Sequence, residues 1–357
     1  MGIKLFQKEM KKQRIGLSLF FSLDGDNLDP NLVYFTQYTG FGVLAITPDK
    51  AVLLVPQVES ARARRTSKVR PVIAKERLMK SLKQIIRSRP KRIGIDKNRI
   101  SLNFHKALNK GLSANYVDVA DICKRLRAVK TEQEIAIMSN ACKVTDEIMH
   151  ATFWNFRNFK TEAEVSAFMS NEVNRRGLGL AFKTIVASGS NACEAHHEPD
   201  TKPLKKGFCV IDFGVKVKGY CSDITRTIYL GTPSQKEIEM YHQVLDVQTV
   251  LIDRCRPGKS FIEIDKEARE LFGARAKYFT HLIGHGVGTE IHENPNPKKT
   301  PRRPITELVP DSVITIEPGL YYPNKSGIRI EDDILITKNV PKVLTKTGKN
   351  LLIIRKK

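Results

Sequence analysis

No apolar run in this 357-residue chain approaches the ~18 residues needed to cross a bilayer. The best candidate, Ile15 to Leu23, is nine residues long, contains two serines and is followed by Asp24-Gly25-Asp26. It comes after Lys11, Lys12 and Arg14, as a signal sequence would, yet it lacks a small-residue cleavage site and reads better as a buried strand following a basic helix. Phe6 stands where myristoylation would require Ser or Thr, so no membrane role and a cytoplasmic location are expected. Cysteine is sparse: six residues, no two closer than 12 positions, which leaves neither a redox pair nor a zinc knuckle and implies reduced thiols. Tryptophan occurs once. With 41% apolar and 27% charged residues, the composition is that of a globular protein, and the length suits two domains.

Negative charge is also in short supply. Sixty Lys and Arg against 38 Asp and Glu leave a net charge of +22, and residues 1–130 alone hold 27 basic against 10 acidic side chains. Between residues 62 and 99 there are 15 basic residues, with only Glu76 and Asp96 opposing them. Such a stretch could attract nucleic acid. It contains no aromatic platform for stacking bases, however, and the pattern fits an amphipathic helix better. Leu78, Met79, Leu82, Ile85 and Ile86 would face inward, while Lys75, Arg77, Lys80, Lys83 and Arg87 face water.

The first third alternates short apolar runs (42–46, 51–55, 92–95) with helical patterns, an α/β unit ending near Arg127. Beyond it, Thr131-x-x-Glu134 has the form of a capping box, in which hydroxyl and carboxylate satisfy the free amides of a helix start. The signature recurs at Thr161-x-x-Glu164, Ser234-x-x-Glu237 and Ser260-x-x-Glu263, with Gly177 and Pro257-Gly258 as stops. An extended acidic segment follows each helix pair: 208–230 with Asp212 and Asp223, then 312–336 with Glu317 and Glu331. Helix, helix, acidic hairpin, twice over, predicts an internal pseudo-twofold repeat in which the two carboxylate pairs converge.

Burying an unpaired carboxylate costs several kcal/mol, so acids within apolar strands need a partner. Asp212 lies in Cys-Val-Ile-Asp-Phe, Glu317 in Val-Ile-Thr-Ile-Glu and Glu331 in Ile-Arg-Ile-Glu. An ion pair with Arg226 or Arg329 would explain any one of them; three together favour a cation. His285, set among glycines in His281-Leu-Ile-Gly-His285-Gly-Val-Gly, adds an imidazole. Four carboxylates and one imidazole suit a dinuclear site for Mn²⁺, Co²⁺ or Fe²⁺. Two such ions activate water and stabilise a tetrahedral intermediate.

These motifs resemble the pita-bread metallopeptidases, the group of methionine aminopeptidase, aminopeptidase P and prolidase. Asn31-Leu-Val-Tyr-Phe-Thr-Gln-Tyr-Thr-Gly40 is similar to a signature of their creatinase/prolidase-like N-terminal domain, and Leu126-Arg-Ala-Val-Lys-Thr131 to the entry of their catalytic domain. The resemblance implies an α/β domain over 1–126 and an α+β pita-bread (creatinase/aminopeptidase) catalytic domain over 127–357. It also implies a metal set of Asp212, Asp223, His285, Glu317 and Glu331, with Asp223 and Glu331 bridging two divalent ions (Mn²⁺ or Co²⁺ first, Fe²⁺ or Zn²⁺ as alternatives). Glu317 would double as the proton acceptor, His292 would stabilise the scissile carbonyl, and His196 would stand on the substrate side near the leaving nitrogen. His281 and Arg329 would line the substrate pocket. The chain departs from its relatives at Ala195, where proline is usual, with His197 directly after His196, and at Gln37, where glycine is common.

The activity this implies is dinuclear-metal-dependent hydrolysis of Xaa-Pro bonds in dipeptides or short peptides. The single N-terminal domain favours prolidase over aminopeptidase P, with a homodimer expected. Two alternatives stay open: a methionine aminopeptidase-like activity, or a binding protein of the same fold that uses its basic domain on nucleic acid.

Overall fold

The computed structural model describes residues 2–23, 28–76, 78–86, 90–298 and 305–355, and for Leu78, Met79 and Ile85 the backbone alone. It falls into two compact units, Met1–Arg127 and Ala128–Lys357.

The first unit is built on one six-stranded mixed sheet. Its elements run α1 (Gly2–Lys12), β1 (Leu17–Ser22), α2 (Pro30–Thr36), β2 (Gly42–Ile46), β3 (Ala51–Val55), α3 (Ser60–Thr66), β4 (Pro71–Ile73), α4 (Leu78–Ile85), β5 (Arg92–Ile95), α5 (Leu102–Gly111), β6 (Asn115–Asp118) and α6 (Ala120–Ala128). The strand order is β4-β3-β2-β1-β5-β6, with β1 antiparallel to β2 and parallel to β5. The apolar run after the basic helix is therefore a central strand, and burial on both faces explains why apolar side chains do not alternate there with charged ones. Asp29 starts α2 by accepting the amides of Asn31 (2.8 Å) and Leu32 (3.4 Å), with Pro30 in the first turn where no N–H is needed. The helix ends at Gln37, whose φ of 58° lies in the left-handed region that glycine enters freely. In α4, Leu82 is buried while Lys80 and Lys83 are exposed. Arg77 and Arg87, and the side chains of Leu78, Met79 and Ile85, lie outside the described residues.

The second unit opens with α7 (Glu132–Asn155) and α8 (Glu162–Arg175), followed by β7 (Gly179–Leu180), β8 (Ile185–Ser188), β9 (Gly207–Phe213), β10 (Val215–Val217), β11 (Tyr220–Cys221) and β12 (Ile224–Leu230). The pattern then repeats with α9 (Gln235–Arg254) and α10 (Phe261–Phe272), followed by β13 (Val313–Ile316), β14 (Gly319–Tyr322), β15 (Ser326–Arg329) and β16 (Asp332–Leu335), and closes with β17 (Lys342–Val343) and β18 (Ile353–Ile354). Thr131 and Ser234 form complete capping boxes at the starts of α7 and α9. The other two signatures are weaker than the sequence implies: Glu164 turns to the amide of Lys160, and Ser260 makes no side-chain cap. Each helix pair covers its own strands. One core joins α7 and α8 to β8, β9 and β12 through Met149, Val165, Ile211 and Ile228; the other joins α9 and α10 to β13–β16 through Leu251, Ile264, Ile316 and Ile334. This is the pita-bread architecture with its internal repeat. Between β10 and β11, Lys218 and Gly219 both take positive φ (48° and 85°), the type I′ geometry that closes a two-residue hairpin. All six cysteines are free thiols; five are buried and Cys193 is partly exposed. Among the described residues no helix is long and apolar enough to cross a membrane.

Candidate metal centre and active site

Strand register brings the acidic residues of the two halves together. Asp212 lies on β9 opposite Thr225 of β12, and Asp223 immediately precedes β12. Glu317 follows β13, and Glu331 sits between β15 and β16, its amide donating to the Thr225 carbonyl across the pseudo-dyad (3.1 Å). His285 is held beside β13 by a reciprocal pair: its amide donates to Thr315 Oγ1 (3.1 Å), and the Thr315 amide donates to its carbonyl (2.7 Å). That approach requires glycine at 284, where an added Cβ would stand 2.1 Å from the Thr315 carbonyl oxygen.

A cavity of about 570 Å³ opens at this junction. Its walls include all nine residues singled out from the sequence: Asp212, Asp223, His285, Glu317 and Glu331, together with His196, His281, His292 and Arg329. Ligating atoms of Asp223, His285 and Glu331 all lie within 4.8 Å of one another. The donor set fits divalent cations on three counts. His285 Nδ1 is 3.1 Å from the Gly286 carbonyl, which can only accept, so the neutral ring carries its proton there. Nε2 then faces Asp223 Oδ2 and Glu317 Oε1, each at 3.6 Å, so that a ring nitrogen and two carboxylates converge on one point. Second, Asp212 Oδ1 and Asp223 Oδ1 are buried without a hydrogen-bond partner. Third, burial, reinforced by the charges of the neighbouring carboxylates, pushes the Asp223 and Glu331 carboxyls well above their ordinary range, and burial does the same to Glu317. Cations in their midst would reverse that penalty.

Arg329 accounts for part of Asp212, as an ion-pair reading of the sequence requires: Nη2 donates to Asp212 Oδ2 at 2.8 Å. Its other N–H groups go to Thr225 Oγ1 (3.0 Å), the Tyr321 hydroxyl (2.6 Å) and the Ala195 carbonyl (3.2 Å). Arg226 instead pairs with Asp332, at 2.7 Å. His281 is neutral, lowered to about 3 by burial first and then by the Arg329 charge. Its Nδ1–H donates to the Leu282 carbonyl (2.7 Å), so Nε2 accepts from the Tyr321 hydroxyl (2.9 Å) while that hydroxyl accepts from Arg329. The sequence reading missed Tyr321 and Thr225, because a tyrosine or threonine on a strand gives no sign of which side chain it will meet. His292 is exposed, its ring centroid 4.3 Å from that of His285. His196 is exposed, whereas its neighbour His197 is held by Glu162 and Glu194.

Residues 136–338 match the model of metallopeptidase family M24, and residues 3–129 match that of the creatinase/prolidase N-terminal domain. Among curated relatives, an Xaa-Pro dipeptidase of Pyrococcus furiosus is 36% identical over 328 residues, covering 90% of this chain and 92% of the relative. Among solved structures, the prolidase from Pyrococcus horikoshii superposes with a TM-score of 0.87 at 33% identity, covering 98% of this chain and 99% of that one. An X-Pro aminopeptidase from Thermotoga maritima superposes at 0.88 and 27% identity, covering 97% of this chain and all of that one, 100%. A fold, a cavity and a cation-seeking donor set that all agree with these matches assign the chain to metallopeptidase family M24, a family that binds divalent metal.

Proposed function

We propose that this protein hydrolyses the Xaa-Pro bond of dipeptides and short peptides, with prolidase as its principal activity. The observation that carries the reading is His285 Nε2 facing two carboxylates across 3.6 Å in the cavity that also holds Asp212 and Glu331. Asp212, Asp223, His285, Glu317 and Glu331 would hold two divalent ions, Mn²⁺ or Co²⁺ in preference to Fe²⁺ or Zn²⁺, since oxygen predominates among the donors. When bound, the ions supply Lewis acidity and an acidified water.

The remaining chemistry falls to this chain's side chains. Glu317, on the cavity wall with Oε1 3.6 Å from His285 Nε2, receives the proton of the attacking water. His292 donates toward the scissile carbonyl oxygen, and His196 stands by the leaving proline nitrogen, which lacks an N–H and must be protonated to depart. Neutral His281 and Arg329 shape the pocket wall: with four of its five N–H groups engaged, Arg329 braces Asp212 and Ala195 more than it offers a receptor for the substrate carboxylate. We further infer that the functional division falls at 126/127, that the enzyme works as a homodimer and that it resides in the cytoplasm, the last consistent with six unpaired thiols.

The test is release of proline from Leu-Pro, and of the first residue from an Xaa-Pro tetrapeptide, with Mn²⁺ or Co²⁺ and then with EDTA. EDTA-sensitive turnover with the dipeptide preferred is the expected result. Cleavage of Met-Ala-Ser with Leu-Pro left intact would replace the reading with a methionine aminopeptidase-like one.

A further inference from the structure

One buried carboxylate outside the metal set has no part in the chemistry so far. Glu162, the first residue of α8, is 1% exposed and takes five hydrogen bonds. Its Oε1 accepts from the Ser188 amide (2.6 Å), the Ser188 hydroxyl (2.8 Å) and Asn191 Nδ2 (3.0 Å). Its Oε2 accepts from His197 Nε2 (2.8 Å) and the Asp200 amide (3.3 Å). Every donor lies at the ends of, or within, the segment 188–200, which carries His196 on the cavity wall. A group with five satisfied contacts at hydrogen-bond length is a structural hub, although Glu162, His197 and Asp200 also have the spacing of a metal cluster.

His197 extends the hub. Its Nδ1 lies 3.0 Å from Glu194 Oε2, so both ring nitrogens face carboxylates and both donate. Burial is the largest single influence on this ring and disfavours its charge, yet the hydrogen bonds to Glu194 and Glu162 more than offset it and the ring is held protonated above its ordinary range. On the other side of His196, the Ala195 carbonyl accepts from Arg329 Nη1 (3.2 Å). The segment's opposite flank presses on β15, where a Cβ on Gly327 would meet the Ala192 carbonyl at 1.8 Å. Both neighbours of His196 are pinned while its own side chain is exposed.

We propose that Glu162 and His197 form a positioning pair that fixes the 188–200 segment and so aims His196 into the cavity. Neither touches the reacting atoms; both act through His196. The role of His196 rests on the peptidase reading, whereas the pinning of the segment does not.

The test is a double-mutant cycle on the full, metal-loaded chain with H196A, H197A and H196A/H197A, together with amide hydrogen exchange of residues 188–200. H197A should lower kcat/KM on Leu-Pro at least tenfold with metal content unchanged. Exchange should quicken in that segment but not in β9 or β12, and H196A/H197A should be no slower than H196A alone. E162Q, which keeps the side-chain volume, should reproduce the exchange change. Wild-type exchange in H197A, or losses in H196A and H197A that multiply, would overturn the proposal. Should the wild-type chain turn over no Xaa-Pro substrate, the peptidase reading falls and the exchange result alone decides the pair.

Discussion

The backbone amide of Asp223 donates to Asp333 Oδ2 at 2.9 Å, joining residues 110 positions apart and tying one half of the repeat to the other at the proposed metal centre. The Cys142 thiol donates to the same oxygen (3.3 Å). Asp333 thus anchors the backbone that carries the Asp223 carboxylate without being among the proposed ligands. Outer groups of this kind typically govern 10- to 100-fold in metal affinity. Asp333→Ala is expected to weaken binding of Mn²⁺ by that factor, measured by calorimetric titration, with a smaller loss for Asp333→Asn, which keeps an acceptor.

Gly284→Ala makes a sterically stronger prediction. Its Cβ would press on the carbonyl of Thr315, the residue whose amide and hydroxyl hold His285 beside β13, and a backbone atom yields less readily than the end of a flexible side chain. On the proposed ligand set, loss of His285 as a ligand follows, with activity reduced by about 100-fold or more on the scale of a lost transition-state contact and one metal equivalent missing by atomic absorption. Retention of both metals would show that the strand can shift to accommodate the methyl.

In the first unit, burial above all pushes the Asp29 carboxyl up to about 6 from its ordinary 3.8. A carboxyl raised on folding holds more protons in the native state. Its contribution is therefore present below pH 3.8 and is lost as pH rises through about 6, leaving a penalty of up to ~3 kcal/mol at neutrality. Asparagine caps a helix about as well as aspartate. Asp29→Asn should therefore stabilise the protein to denaturant by about 1–3 kcal/mol at pH 8, with the gain vanishing near pH 4.

Gln37→Gly tests the departure at the end of α2. Its left-handed φ of 58° costs a side-chain-bearing residue roughly 1 kcal/mol that glycine avoids. A rise of about 0.5–1 kcal/mol in unfolding free energy is expected. No gain would mean that contacts of the Gln37 side chain offset the strain.

Much of this was legible in the sequence because the signals were redundant. Acids on apolar strands, a histidine among glycines and repeated capping signatures each pointed to one site, and the element order of the second unit follows the helix, helix, hairpin reading. The helix starts show how such signals degrade: Ser260 has the right residue three positions later and still makes no cap, since the motif records only opportunity for a bond. Glu162 was illegible for a related reason. It stands in a run of Thr-Glu-Ala-Glu that reads as a solvated first turn, and nothing local reveals that Ser188, Asn191 and His197 fold back over it. Long-range hydrogen bonds to a single carboxylate leave no periodicity behind.

The distribution of thiols has a practical consequence. Burial pushes Cys123, Cys142, Cys209, Cys221 and Cys255 upward, so thiolate is negligible at neutral pH and the chain excludes reagent from all five. Toward a maleimide the folded enzyme should behave as a single-thiol protein labelled at Cys193, three residues before His196. A fluorophore there would report directly on the order of the segment that carries that histidine, with no need to engineer away the other cysteines.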